Sequence, residues 1–514
     1  MAVRIAGHEP RAMTRSGEDF ELMVEDAAPG HRYSLVLDGS QERPDPCSRS
    51  QPEGVHGPSE IVDPDSFAWS DANWKGIALE DYIFYELHVG TFTPQGTFDG
   101  VRSKLEYLKD LGVTAIELMP VAQFPGTRNW GYDGVDLYAP HSAYGGADGL
   151  KALVDAAHAI GLAVVLDVVY NHVGPEGNYL GEFGSFFTDR YQTPWGLAIN
   201  YDGPGSDGVR RFFIENALYW LTEYHIDALR LDAIHGIVDF SAFHILAELR
   251  DRFHQQAERL GRQAFLFAES DLNDVRIIQP RSQGGHALDA QWHDEFHHSL
   301  ISALTGANRG YLAGFGRLAH IQKAIAEGFV YDGIYSAYRQ RHFGSCSKHE
   351  PGERFVAFIQ NHDQVANTAQ GFRLSELVSI EQFKLAAMLL VCSPFLPLLF
   401  MGEEFAEAAP FLYFTSHGDR ALARAVSEGR RKEFAEFAGA GEFDDPQAVE
   451  TFERSRINWT LPESVRHSEV LGFYRELIAL RKRYPCLSNC RKDLTRVVVD
   501  EDARLLRMER SDPF

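Results

Sequence analysis

Three carboxylates in this sequence stand where chemistry could use them. Asp232 closes Arg230-Leu231-Asp232, with His235 three residues further on. Glu269 follows the apolar run AFLFA (264–268), and Asp363 closes Asn361-His362-Asp363 after RFVAFIQ (354–360). A fourth polar run, DVVYNH (167–172), ends another apolar stretch and brings in His172. A lone acid at a strand end is ordinarily a helix cap. Three such acids accompanied by Arg230, His172 and His362 are hard to read as independent caps, because gathering that much charge in one place is strongly unfavourable unless the charges are paired or used.

Grouped carboxylates suit glycoside hydrolysis, whose oxocarbenium-like transition state is positive and is stabilised by fixed negative charge. Arg230 and Asp232 are two residues apart on a strand and share a face. The guanidinium then lowers the Asp232 pKa, as a nucleophile requires. Desolvation and neighbouring anions raise that of Glu269, as a general acid requires. Asp363 is left as a second anion to hold the sugar.

The elements that position these residues follow from the hydrophobic pattern. From about residue 82, strand and helix alternate. Eight runs read as strands: 83–89, 113–119, 162–169, 226–231, 264–268, 288–292, 354–360 and 396–400. Most are nearly continuous apolar runs, as in parallel strands buried on both faces. Helices are expected at 98–111, closed by Gly112, and around Leu150, Leu153, Val154 and Ala157, closed by Gly161. Two more are expected around Phe213, Ala217, Trp220 and Leu221, and near 242–253. Eight βα units over about 320 residues fit an α/β fold, a (β/α)8 barrel whose strand C-termini build the active site. An open doubly wound sheet is the alternative, but no G-x-G-x-x-G follows the first strand.

Domain limits are expected at 1–80 for a β-sandwich-like N-terminal domain, at 81–484 for the barrel, and at 485–514 for the start of a C-terminal β domain. The N-terminal domain has a hairpin signal at Asp38-Gly39. Both end domains read as abbreviated. Insertions at 173–208 and 293–350 interrupt the barrel rhythm, and loops that long tend to be functional.

Composition removes several classes. With 49 basic and 73 acidic residues, the 514-residue chain carries a net charge of −24, with no run of five like charges. That argues against nucleic acid or an anionic membrane as partner. The N-terminus lacks the apolar core of a signal peptide. The longest uncharged apolar run, LAAMLLVCSPFLPLLFM (385–401), is broken by Ser393, Pro394 and Pro397 and reads as a buried helix followed by a buried strand. Five scattered cysteines do not form a disulfide framework, and Cys486 and Cys490 alone cannot complete a zinc site. A reducing, cytoplasmic setting is expected.

The segments 167–172, 230–235, Glu269 and 361–363 resemble, in order and strand by strand, the four conserved regions of the α-amylase family of glycoside hydrolases. The resemblance implies a retaining mechanism with Asp232 as nucleophile, Glu269 as acid/base and Asp363 as transition-state stabiliser. It implies sugar contacts from His172, Arg230 and His362, with Tyr132 of NWGYD stacking on the sugar being cleaved. Trp130, His235, Asn361 and Gln364 join the expected substrate-facing set. Longer segments, among them 44–64, 85–98, 129–140, 289–299 and 358–367, resemble the branch of that family that releases trehalose. This resemblance extends over about residues 30 to 480.

It implies cleavage of the α-1,4 bond next to the terminal trehalose unit of maltooligosyltrehalose. A maltooligosyltrehalose synthase is the implied pathway partner. No cofactor is expected. Many α-amylases bind calcium near the residue matching Asn171, but 173–208 offers no cluster of further oxygen ligands, so no metal is expected. The rivals are a glucan branching or debranching enzyme of the same family and a non-catalytic amylase-like scaffold, which would ordinarily have lost one of the carboxylates.

Overall fold

The computed structural model describes the chain apart from residues 18, 369, 439–443 and 513–514, and without the side chains of 433–438. Eight parallel strands close into a barrel: β1 (Phe84–Leu87), β2 (Ala115–Leu118), β3 (Ala163–Val168), β4 (Ala228–Leu231), β5 (Phe265–Ala268), β6 (Ala290–Trp292), β7 (Phe355–Phe358) and β8 (Leu396–Phe400). They are neighbours in chain order, and β8 pairs with β1. Alternate residues form two apolar sets. Phe84, Ala115, Ala163, Val165, Ala228, Phe267, Ala290, Trp292, Val356, Phe358, Leu396 and Leu398 make one buried cluster. Their sequence neighbours join the larger core under the helices. The small inward residues of β2, β3 and β4 are complemented by Phe84, Phe267, Trp292 and Phe358 on other strands, so that the barrel is filled rather than hollow.

The inward period of two runs on into charge. Above Phe84 comes Glu86, above Ala115 comes Glu117, above Val165 comes Asp167, and above Ala228 comes Arg230. Glu86 pairs in register with Glu117, and Asp167 with Arg230. This layer is the floor of the site.

Three helix expectations change. The helix expected at 98–111 is two, Phe98–Arg102 and Leu105–Leu111, because the chain leaves helical geometry at Lys104 (φ −108°, ψ 0°). Each piece then turns its own apolar residues inward. The helix expected near 242–253 runs Ile245–Leu260. Its start is fixed by Asp239, which accepts from the Ile245 N–H at 2.6 Å, and its end by Gly261 at φ +63°. The helix Ile380–Val391 is not wholly buried, since Leu385 and Met388 on one side are exposed.

A five-stranded antiparallel sheet, including Ala2–Ile5 and Arg32–Leu37, precedes the barrel. The hairpin Thr495–Asp500/Leu505–Arg510 follows it. Residues 173–208 include the hairpin Phe187–Thr193/Gly196–Ile199. No helix among the described residues is long and apolar enough to cross a membrane.

The segment leading into the barrel is fastened beneath it. His158 contacts Asp71 through Nδ1 (2.8 Å) and Asp227 through Nε2 (2.9 Å). With a carboxylate on each side both nitrogens must donate, so the ring is a cation. Asp71 also pairs with His225 (2.8 Å) and Arg262 (3.0 Å). Trp74 stacks on His158. Burial alone would lower the His158 pKa, but Asp227 and Asp71 outweigh it and raise it above its ordinary value. The stabilisation is therefore complete below the unfolded value near 6.5 and is lost as pH rises through the raised folded value. His158→Gln is expected to destabilise by about 3 kcal/mol or more near pH 6, with a difference that shrinks in alkaline buffer. Chemical unfolding of both proteins across this range measures it, and a pH-independent difference would contradict the charged clasp.

Candidate active site

Arg230 organises the barrel mouth. Its side chain is fully buried, and one terminal nitrogen donates to Asp167 (2.8 and 2.9 Å) and to Asp232 (2.7 Å). The other lies 3.7 Å from Glu269, and the guanidinium sits 4.3 Å over the Trp292 ring. Burial would push the Asp232 carboxyl up. Arg230, His172 and a hydrogen bond from the Asn171 amide (2.8 Å) together hold it below its ordinary value instead.

Glu269 goes the other way. Burial, aided by the negative charges of Asp232, Asp294 and Asp363 and opposed by Arg230, raises it well above the ordinary carboxylate range. Its oxygen accepts from the Ala233 N–H at 2.5 Å. That donor is aimed by Ala233 itself, which sits in the left-handed region (φ +38°) immediately after Asp232. A non-glycine residue there stores strain, of about 1–3 kcal/mol.

A second network crosses the mouth. The Tyr132 hydroxyl donates to Asp167 (2.7 Å) and so must accept from His362 Nε2 (2.8 Å). His362 Nδ1 donates to Glu86. Both ring nitrogens therefore carry protons. Burial opposes that charge, but Asp363 and Glu86 raise the His362 pKa to about 9. Asp363, beside it, is the most open of the three acids, with 43% of its side chain exposed. Glu117 lies below with both carboxyl oxygens buried and no hydrogen-bond partner among the described residues. Burial, with Glu86 and Asp167 nearby, pushes it well above the ordinary value, so it carries a proton.

The remaining expected residues divide. His172 Nε2 donates to the Tyr132 carbonyl (3.0 Å), and its ring is stacked beneath Trp195 of the 187–199 hairpin (4.8 Å, 3°). Asn361 caps the short helix His362–Ala366 by accepting from the Gln364 N–H (2.8 Å). Gln364 lines the cavity beside Glu269, whereas His235, in the turn Ile234–Gly236, is exposed and is not among the residues that line it. Trp130 is displaced from the substrate-facing set. It is 5% exposed, its indole N–H donates to the Leu412 carbonyl (2.8 Å), and it stacks on Phe411. It packs behind Tyr132 and His362 instead.

The Asn171 amide is committed at both ends, to Asp232 and to His172 (2.5 Å). Among the described residues no group of three His, Cys, Asp or Glu could hold a metal ion.

The alpha amylase, catalytic domain family matches residues 61–193. The malto-oligosyltrehalose trehalohydrolase of Saccharolobus solfataricus is 48% identical over 470 residues, 91% of this chain and 81% of that protein. The chain belongs to the malto-oligosyltrehalose trehalohydrolase family. The trehalohydrolase of Arthrobacter ramosus is 47% identical over 88% of this chain and 79% of its own length. The crystal structure of a Salmonella typhimurium protein superposes on this trehalohydrolase-family chain with a TM-score of 0.91, at 46% identity, covering 97% of this chain and 85% of that one.

For this family member, sequence reasoning left four groups at the site without a role: Glu86, Glu117, Asp167 and Trp195. Glu86 and Glu117 are single acids inside apolar strands; a charge within such a run is a signal that could have flagged them, though not the face each takes.

Proposed function

We propose that this chain hydrolyses the α-1,4-glucosidic bond next to the terminal trehalose unit of maltooligosyltrehalose, with retention of configuration, and releases trehalose. The observation that carries the hydrolytic part of the reading is the opposite electrostatic treatment of two carboxyls at the ends of neighbouring strands, Asp232 pulled below the ordinary carboxylate range and Glu269 pushed above it. In the first step the Asp232 carboxylate attacks the anomeric carbon while Glu269 gives its proton to the departing oxygen of trehalose. In the second, Glu269 takes a proton from water, which displaces Asp232 and frees the sugar. Asp363 and the Asp232 charge stabilise the cationic transition states. Tyr132, His172, Arg230 and His362 hold the sugar.

The names of the relatives, at 40% identity or more over most of the chain, support trehalose release over glucan branching or debranching. An enzyme that makes maltooligosyltrehalose, a synthase, supplies the substrate in this reading. A reducing, cytoplasmic setting fits five unpaired cysteines.

Incubation with maltotriosyltrehalose and, separately, maltopentaose tests the reading. Free trehalose is expected from the first at a rate well above cleavage of the second. Faster cleavage of maltopentaose, glucan transfer or α-1,6 cleavage would replace it.

A further inference from the structure

The cavity that opens at Glu269 and Asp363 measures about 300 Å³, and Tyr311, Phe315, Tyr338 and Phe343 of the long β6 insertion wall it. Two polar side chains on its wall make no contact in the machinery described above: Asp294 acts on Glu269 through its charge alone, and His298 has no part in it. Asp294 and His298 lie four residues apart on the helix Asp294–Thr305, hence one above the other on one face, and both line the cavity. Asp294 stands two residues past Trp292, where the inward period of β6 leads into the mouth. Neither makes a hydrogen bond or ion pair with another described residue. Both therefore face the cavity with their polar atoms uncommitted to the protein, free to hydrogen-bond the hydroxyls of what enters it.

The helix is held firmly. Glu295 accepts from the Val330 and Tyr331 N–H groups (2.6 and 2.9 Å), and the His298 ring packs on Tyr311 and Phe315.

The chemistry says what enters. A general acid protonates the leaving oxygen, so the leaving group lies on the Glu269 side of the scissile bond, in this cavity. A trehalose unit and a maltose unit are the same size and differ only in how the second ring is joined. Volume cannot separate them, whereas hydrogen bonds to the hydroxyls of the far ring can. We propose that Asp294 and His298 read the far ring of the leaving disaccharide and select a trehalose unit over a maltose unit. This rests on the trehalose-releasing reading above.

Asp294→Asn and His298→Gln, which keep shape, test it. With either, kcat/KM for maltotriosyltrehalose is expected to fall about 10- to 100-fold, the range for lost hydrogen bonds to a charged or well-placed group. With His298→Gln that for maltopentaose should change little; with Asp294→Asn the loss of the charge beside Glu269 falls on both substrates alike, so in each variant the preference collapses. The inhibition constant of trehalose should rise by the same factor, and that of maltose should not. An unchanged preference in variants of a wild type that favours maltotriosyltrehalose overturns this assignment alone. A wild type that favours maltopentaose overturns the trehalose-releasing reading and this assignment with it.

Discussion

Asp232→Asn is expected to lower turnover of maltotriosyltrehalose by about 10⁴-fold or more while the protein stays folded. The amide oxygen can still accept from Arg230 and keep the geometry at 2.7 Å, but the nucleophile is gone. Glu269→Gln should lose about 10²- to 10⁴-fold, because its proton is the one the leaving oxygen needs. The pH dependence follows with its sign. Activity requires Asp232 ionised and Glu269 protonated. The acid limb of kcat/KM should therefore lie below the ordinary carboxylate range, where Asp232 is held, and the alkaline limb well above it, where Glu269 is held. Near-native turnover by either variant, with the melting curve unchanged, would remove these two residues from the roles proposed for them.

Arg230→Lys should be nearly as damaging, and for a different reason. One guanidinium reaches Asp167, Asp232 and Glu269 from a fully buried position. A lysine ammonium is a single point without the planar fork, and cannot face three carboxylates at once. Leaving a buried acid unpaired costs about 3–5 kcal/mol, so the melting temperature should fall with activity. Arg230 also pulls the pKa of both Asp232 and Glu269 down. Weakening that pull moves both limbs of the pH profile upward together. A lysine variant with unmoved limbs would show that Arg230 is not what sets them.

The barrel was legible because its strands are buried on both faces, which leaves continuous apolar runs such as Leu396–Phe400. The strand-end acids were legible because such positions gather at the mouth of this fold. Glu86 and Glu117 were not, since one acid within Phe84–Leu87 or Ala115–Leu118 does not say which face it takes until the register is known. Trp130 was misplaced for a local reason. It and Tyr132 flank Gly131, whose φ of +110° turns the chain, and a Cβ there would meet the Pro120 carbonyl at 2.1 Å. The alternation of a strand does not apply across that turn, so one ring faces the mouth and the other packs behind it. The break at Lys104 was invisible because Phe98, Val101, Leu105 and Leu108 satisfy one helical period equally well as two short helices.

The charged floor of the barrel also bears on how such a sequence can change over generations. Glu86, Glu117, Asp167 and Arg230 are buried at 2% exposure or less, and each is described by the charge or proton of its neighbours. Neutralising Glu86 removes the acceptor of His362. Neutralising Asp167 weakens the acceptor of Tyr132 and leaves Arg230 only Asp232 as a hydrogen-bonded carboxylate. No single substitution in this layer is silent, whereas a compensated pair can be. Descendants of this chain should therefore drift freely on the helices while these four positions either stand still or move together.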